Sequence, residues 1–172
     1  MSNLRLINET TISASASTIQ IPNVFSADFD IYKITFNNIN TNTHLYNIVR
    51  MLNASGSSVS SNYEWALLDI KANTSFGESR FSGNGTYWRE VWGMSTTTVG
   101  TGHTVGYIFN PFSSSSYTFC MAQHQSINTN ARGVKGIGVL KDTSSMSGFE
   151  LTNPPNTFDG GIIRTYGLRV DS

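Results

Sequence analysis

The residues of "DIYKITFNNI" alternate: Tyr32, Ile34 and Phe36 point one way, and Lys33, Thr35 and Asn37 the other. A period of two in Ile, Tyr, Phe and Thr is the pattern of a β-strand with one face buried. The pattern returns in "STIQIP", which Pro22 ends, and in "HLYNIVRML", "NYEWALLDIK", "TYWREVWGM", "TVGYIFNPF", "SYTFCMAQHQ", "GVKGIGVLK" and "GFELTN". It returns last in "TFDGGIIRTYGLRVDS", where Ile162, Arg164, Tyr166, Leu168 and Val170 share one face and Ile163, Thr165, Gly167 and Arg169 the other. Gly160 and Gly161 read as the turn into that strand, and Gly167 as a bulge or a close approach. A helical period is nowhere sustained. "NYEWALLDIK" offers Trp65 and Leu68 at helical spacing, but its length and Ser-rich flanks favour a strand.

These strands predict an all-β chain, an antiparallel β-sandwich of about 8–10 strands. The Cys…Trp…Cys pattern of an immunoglobulin domain is missing, whereas a jelly roll, with eight strands in two sheets, fits the count. "NASGSSVSSN" and "NPFSSSSY" read as loops, because strand patterning resumes on each side of them. Residues 1–172 therefore read as a single β-sandwich domain.

Composition narrows the function. The 11 basic and 11 acidic residues give a formal net charge of zero. No basic run interleaved with aromatics appears, so no nucleic-acid partner is expected. Charged residues make up 13% of the chain, about half the usual ~25%. Ser, Thr and Asn fill roughly a third of it, which disfavours helix interiors and gives a polar, nearly uncharged surface. No stretch reaches the ~20 apolar residues of a membrane span, and "MSNLRLINETT" lacks the apolar core of a signal peptide. Synthesis in a cytoplasm, with no membrane partner, is expected.

Sites of chemistry are sparse. Cys120, the single cysteine, makes no internal disulfide and reads as a small buried hydrophobe. His44, His103 and His124 lack metal-ligand spacing, and Cys120 with His124 supplies two donors where zinc needs three or four. Asp28 and Asp30 read as residues opening a strand rather than a calcium half-site. No G-x-S-x-G is present, and "GNGT" has no Lys after it. Glu64, Asp69, Glu78 and Glu90 could pair across strands as in a glycosidase, yet nothing selects two of them. Four glycosylation sequons, at Asn8, Asn53, Asn73 and Asn84, matter only in a eukaryotic secretory pathway. Neither metal nor cofactor nor catalytic residue is expected.

"GTYWREVWGM" is the densest aromatic stretch. Strand alternation puts Trp88, Glu90 and Trp92 on one face and Tyr87, Arg89 and Val91 on the other. A Glu between two Trp suggests a surface or rim. Tyr87, Trp88 and Trp92 are thus the candidate interface, with core filling and a sugar-stacking platform as the other readings.

Several segments taken together resemble small virion proteins of tailed phages, including phages of marine and cyanobacterial hosts. They are "TTISASASTIQIPNVFSADFDIYKITFNNI", "NPFSSSSYTFCMAQ", "SGFELTN" and the closing "GGIIRTYGL", which echoes an I-x-x-Y-G-L/I ending. The resemblance lies in strand patterning and turn residues. It implies a jelly-roll-like sandwich that assembles on the virion as a symmetric oligomer, with a trimer expected, and it transfers no functional residue. The function expected is a non-enzymatic capsid decoration or cement protein bound to the major capsid lattice on the outside of the head. The alternative is a tail- or fibre-associated adhesin for host surface glycans, and a third, an enzyme, would need two carboxylates in one cleft.

Overall fold

The structure, a computed structural model, describes residues 3–13, 15–43, 45–73, 76–95, 102–127 and 130–169. Among them are twelve strands and no helix. In chain order the first six are β1 (Leu4–Ile12), β2 (Thr18–Ile21), β3 (Ile31–Thr41), β4 (Leu45–Asn53), β5 (Tyr63–Lys71) and β6 (Gly77–Gly85). The rest are β7 (Trp88–Ser95), β8 (Gly102–Phe109), β9 (Thr118–Ile127), β10 (Ala131–Leu140), β11 (Met146–Thr152) and β12 (Phe158–Leu168). They form two antiparallel sheets packed as a β-sandwich. The larger runs β1-β12-β3-β8-β9-β10-β5-β6, and the smaller β2-β11-β4-β7.

The all-β sandwich expected from the alternation is what the chain forms. Its connectivity is that of a jelly roll with two additions. Without β5, β6, β9 and β10, the four strands β1-β12-β3-β8 oppose β2-β11-β4-β7. The chain then crosses between sheets at each step except β4 to β7, as in two interlocked Greek keys. The additions, β5–β6 after β4 and β9–β10 after β8, pair through β10 and β5 and widen one sheet only. Twelve strands rather than 8–10 result. The two absent from the sequence reading, β1 and β6, are the edges of the larger sheet. Edge strands pack on one neighbour and need no clean alternation, and β6, "GESRFSGNG", is exposed at seven of its nine residues.

The strand at "GGIIRTYGL" lies between β1 and β3, paired on both sides. Ile163, Thr165 and Gly167 face inward, where a Cβ on Gly167 would come within 2.6 Å of the Phe29 ring. This is the close approach expected of Gly167. Gly160 and Gly161 correct the turn assignment: they sit inside β12, where the register with β3 shifts, and Gly161 takes φ +135°.

One apolar core joins the sheets, and Tyr32, Phe36, Tyr63, Trp88, Trp92, Phe149 and Phe158 are fully buried in it. Burying such rings supplies on the order of 2–3 kcal/mol each. The polar tips of the two tyrosines are satisfied, and Trp88 Nε1 donates to Val139 C=O at 3.3 Å, whereas Trp92 Nε1 is buried without a hydrogen-bond partner among the described residues. The Tyr63 hydroxyl accepts from Met51 N–H at 2.8 Å and donates to Val59 C=O at 3.1 Å. The Tyr32 hydroxyl accepts from Ser26 N–H at 2.7 Å and donates to the carbonyl of the same residue at 3.0 Å.

Candidate functional site: the outer face of the larger sheet

β7 decides where the aromatic stretch goes. Its register with β4 runs from Ile48 opposite Arg89 to Tyr46 opposite Met94, so Glu90 through Gly93 stand opposite Asn47 alone. Glu90 takes φ +63° and Gly93 φ +90°. This wide bulge breaks the alternation, and Trp88, Val91 and Trp92 all turn inward with no exposed surface. The surface or rim position expected for Trp88 and Trp92 is therefore corrected: both rings fill the core. Tyr87 is half-buried just before β7, with the Arg50 guanidinium 5.5 Å from its ring centre.

The bulge is held by polar contacts. Thr104 Oγ1 donates to Trp92 C=O at 3.0 Å, and Asn47 Nδ2 donates to the same oxygen at 3.4 Å. Thr104 Oγ1 also lies 3.0 Å from His124 Nδ1. A hydroxyl has one proton, here given to Trp92, so His124 Nδ1 carries the hydrogen between them. A Cβ on Gly93 would fall 2.0 Å from the His124 ring, which leaves room for glycine alone.

The tryptophans take their space from the larger sheet, across which β7 lies. The inner face of β8, β9 and β10 carries Gly106, Cys120, Ala122, Gly136 and Gly138. A Cβ on Gly106 would lie 2.4 Å from the Trp92 ring, and one on Gly138 2.6 Å from Trp88 Nε1. Small residues inside put the large residues of the same strands outside, because successive side chains alternate. One outer row runs Tyr107–Met121–Ile137–Ala66, and beside it lies Phe109–Phe119–Val139. The Tyr107 and Phe109 rings stack with centres 6.4 Å apart. Ile137 is 61% exposed, Leu68 56% and Phe119 47%. A groove of about 560 Å³ crosses this face, lined by Phe109, Phe119, Met121, Ile137 and Val139 and, towards β6, by Glu64, Arg80 and Ser82. Antiparallel sheets that face water are normally polar on that side. These two rows are not, whereas the next row, Val105–Gln123–Lys135–Leu68, is mixed.

The candidate chemical groups are placed as follows. Cys120 is buried, as expected, and burial pushes its thiol far up, away from reactivity. His124 shares its inward face, His103 is half-buried on the outer face, and His44 lies outside the described residues. No three His, Cys, Asp or Glu side chains gather at metal-binding distance among the described residues. Glu64 accepts from Lys141 at 2.7 Å and from Gly83 N–H at 3.0 Å, and these bonds hold its carboxyl low. Glu78 meets Arg80 at 4.0 Å.

Asp69 and Glu90 are the two carboxylates that the fold buries near each other, between the sheets. Burial pushes Asp69 up, but a two-pronged bond from Arg132, at 2.6 and 2.7 Å, and Lys71 at 3.2 Å outweigh it and hold the carboxyl below its ordinary value. Burial wins at Glu90, whose carboxyl is raised despite Arg89 at 3.5 Å. The Tyr46 ring lies between Arg89, 4.9 Å from its centre, and Arg132, at 5.5 Å. This chain of charge and ring ties β4 and β7 to β5 and β10. Neither carboxylate lines the groove.

Comparison with protein-family models, with curated proteins and with solved structures finds no match to this chain.

Proposed function

We propose that the protein is a non-enzymatic structural subunit of a phage virion, seated as a decoration protein on the outside of the head. The observation that carries the reading is the uncovered apolar outer face of the larger sheet. A contiguous apolar surface of this kind marks a contact with another macromolecule. The resemblance of the strand and turn segments to small virion proteins of tailed phages supplies the setting. A nearly uncharged exterior suits a particle surface, and the net charge of zero gives nucleic acid little to hold.

The physics of the role is mass action. A protein that binds only the assembled lattice stabilises it by RT ln(1 + [L]/Kd), about 2.7 kcal/mol per site at a hundredfold excess over Kd. A symmetric homo-oligomer engaging several lattice subunits at once multiplies weak contacts. The adhesin reading asks for exposed rings flanked by hydrogen-bonding side chains. Here Phe119 and Phe109 are flanked by Met121, Ile137 and Val139, with Glu64, Arg80 and Ser82 on the β6 side, a lining in which apolar side chains predominate around the rings.

Immunogold electron microscopy of purified phage particles, with an antibody against this chain, tests the reading. Label over the head is the expected result. Label confined to the tail or fibres moves the role to host attachment, and unlabelled particles remove the virion reading altogether.

A further inference from the structure

The outer face has a definite size and a definite charge, and both bear on what covers it. Leu68, Ile70, Val105, Phe119, Met121 and Ile137 are all exposed on it. Side chains of this size leave on the order of 600 Å² of apolar surface in water between them. A stable interface buries about 800 Å² per partner, of which about two thirds is apolar at a homodimer contact. These six side chains alone supply that apolar share.

The charges around the patch are of both signs. Lys33, Arg80, Lys135 and Lys141 stand on or beside it against Glu64 and Glu78, and Lys141 and Glu64 are already paired at 2.7 Å. A partner selected for strong charge would face a surface of one sign. A surface that meets a copy of itself carries both, since each sign then finds the other across the contact.

Among the described residues the smaller sheet carries no counterpart of the patch. Outside the smaller sheet the cross-strand rows are Gln20–Glu150–Arg50 and Thr18–Thr152–Ile48, polar at five of six positions. A head-to-tail ring needs two different complementary surfaces, whereas a two-fold contact needs one that complements itself.

We infer that the outer face of β8, β9, β10 and β5 is a two-fold interface, on which a second copy of this chain packs sheet against sheet. The inference deepens the assembly reading by naming the partner of that face, and it puts a dimer contact in place of the threefold ring that the resemblance implies. It rests on the assembly reading only in requiring an oligomer. Sheets stacked face to face lie about 10 Å apart and interdigitate their side chains, and the groove beside Phe119 and Ile137 gives a large side chain of the second copy a place to enter.

Sedimentation velocity of the full chain from ~1 to ~100 µM tests it. The expected species has twice the subunit mass of 18.9 kDa. Ile137→Lys, at an exposed position, is expected to weaken association at least tenfold, with a melting temperature equal to the parent's when both are diluted to monomer, and Thr18→Lys on the smaller sheet is expected to leave association intact. A monomer throughout, a trimer, or a dimer indifferent to Ile137→Lys overturns the inference. A second readout needs no disruptive variant. In Ile137→Cys the new thiol should react more slowly with a maleimide as the protein is concentrated, Cys120 being buried; a constant rate overturns the inference. A dimer together with unlabelled particles keeps the inference and removes the virion reading. Labelled heads with a monomer in solution do the reverse.

Discussion

Outside the smaller sheet, side chains are bonded to one another across the strands: Thr18 to Thr152 at 3.0 Å, Gln20 to Glu150 at 3.4 Å, Arg50 to Glu150 at 3.2 Å, and Arg50 over the Tyr87 ring. Outside the larger sheet, the corresponding rows hold Phe109, Phe119, Met121 and Ile137, and they touch little but one another. Both sheets bury an apolar inner face, so the core does not explain the contrast. The smaller sheet satisfies these outer side chains within the subunit and exposes little apolar surface there. The larger sheet leaves apolar surface in water, which association would remove. A face closed by internal hydrogen bonds and a face left open are what distinguish a solvent side from a contact side.

The contrast sharpens first at β7, which borders the smaller sheet and feeds the core. Trp88→Ala is expected to cost about 4 kcal/mol, because the void between Gly138 and Tyr63 cannot collapse. Tyr87→Ala, one residue earlier, should cost under about 1 kcal/mol, the worth of a half-buried surface ring on a guanidinium. Urea unfolding monitored by tryptophan fluorescence checks both, and equal costs would mean that β7 does not bulge as described.

Glu150→Ala tests the closed face. It strips Arg50 and Gln20 of their acceptor on a nearly buried row, and a loss of about 2 kcal/mol is expected in the same titration. A loss below about 0.5 kcal/mol would show that the internal bonding does not close that face.

Glu90→Gln probes the link between the sheets. The Glu90 carboxyl is raised, so folding disfavours its charge. That cost is absent below the ordinary carboxylate value of about 4.3 and grows as pH rises through the raised folded value. The variant is expected to be more stable than the parent by about 1 kcal/mol at pH 7, with the gain fading towards pH 4. Asp69 has the opposite sign. Its lowered carboxyl contributes stability above the ordinary value of about 3.9, which is lost as pH falls through the folded value. Asp69→Asn should therefore be most costly at neutral pH. Thermal melts from pH 2 to pH 7 separate the two, and a pH-independent difference for Glu90→Gln would remove the burial argument.

The smallest effect belongs to the open face. Ile137→Lys should change subunit stability by less than about 0.5 kcal/mol, as surface substitutions do. A larger loss, read as a lowered urea midpoint at a concentration where parent and variant are both monomeric, would place Ile137 in the fold rather than on a contact.

Much of this architecture is written in the sequence, and the gaps have physical causes. Alternation marks β3, β9 and β12 because each is flanked by strands on both sides and has one face on the core. It fades in β1 and β6 because an edge strand with solvent beside it can carry almost any residue. In β7 the period was legible and misleading. Glu90 at positive φ gives no signal in composition, and a four-residue bulge turns both tryptophans inward. The open face was hidden by the usual association of large with inside. In "SYTFCMAQHQ" the bulky Phe119 and Met121 are outside, and Thr118, Cys120, Ala122 and His124 are inside. Only the volume of Trp92, which lies on another strand, decides this. A pair of tryptophans facing a run such as "GVKGIGVLK" is the one sequence signal that could have found it.

The place of β12 sets the order in which the molecule can be made. β1 and β3 are not neighbours; β12 stands between them. Glu9 therefore waits for Arg164, 155 residues later, before its strand has a partner. On a ribosome, an early part of this chain emerges with two unpaired edges and no means of joining them. Pairings of such long sequence separation form late and slowly, and until they do the exposed edges are open to pairing with other chains. Completion of this sheet thus waits on β12, the last of its eight strands in chain order. Shortening the chain within β12 should divert newly synthesised protein to aggregates rather than trim a loose end.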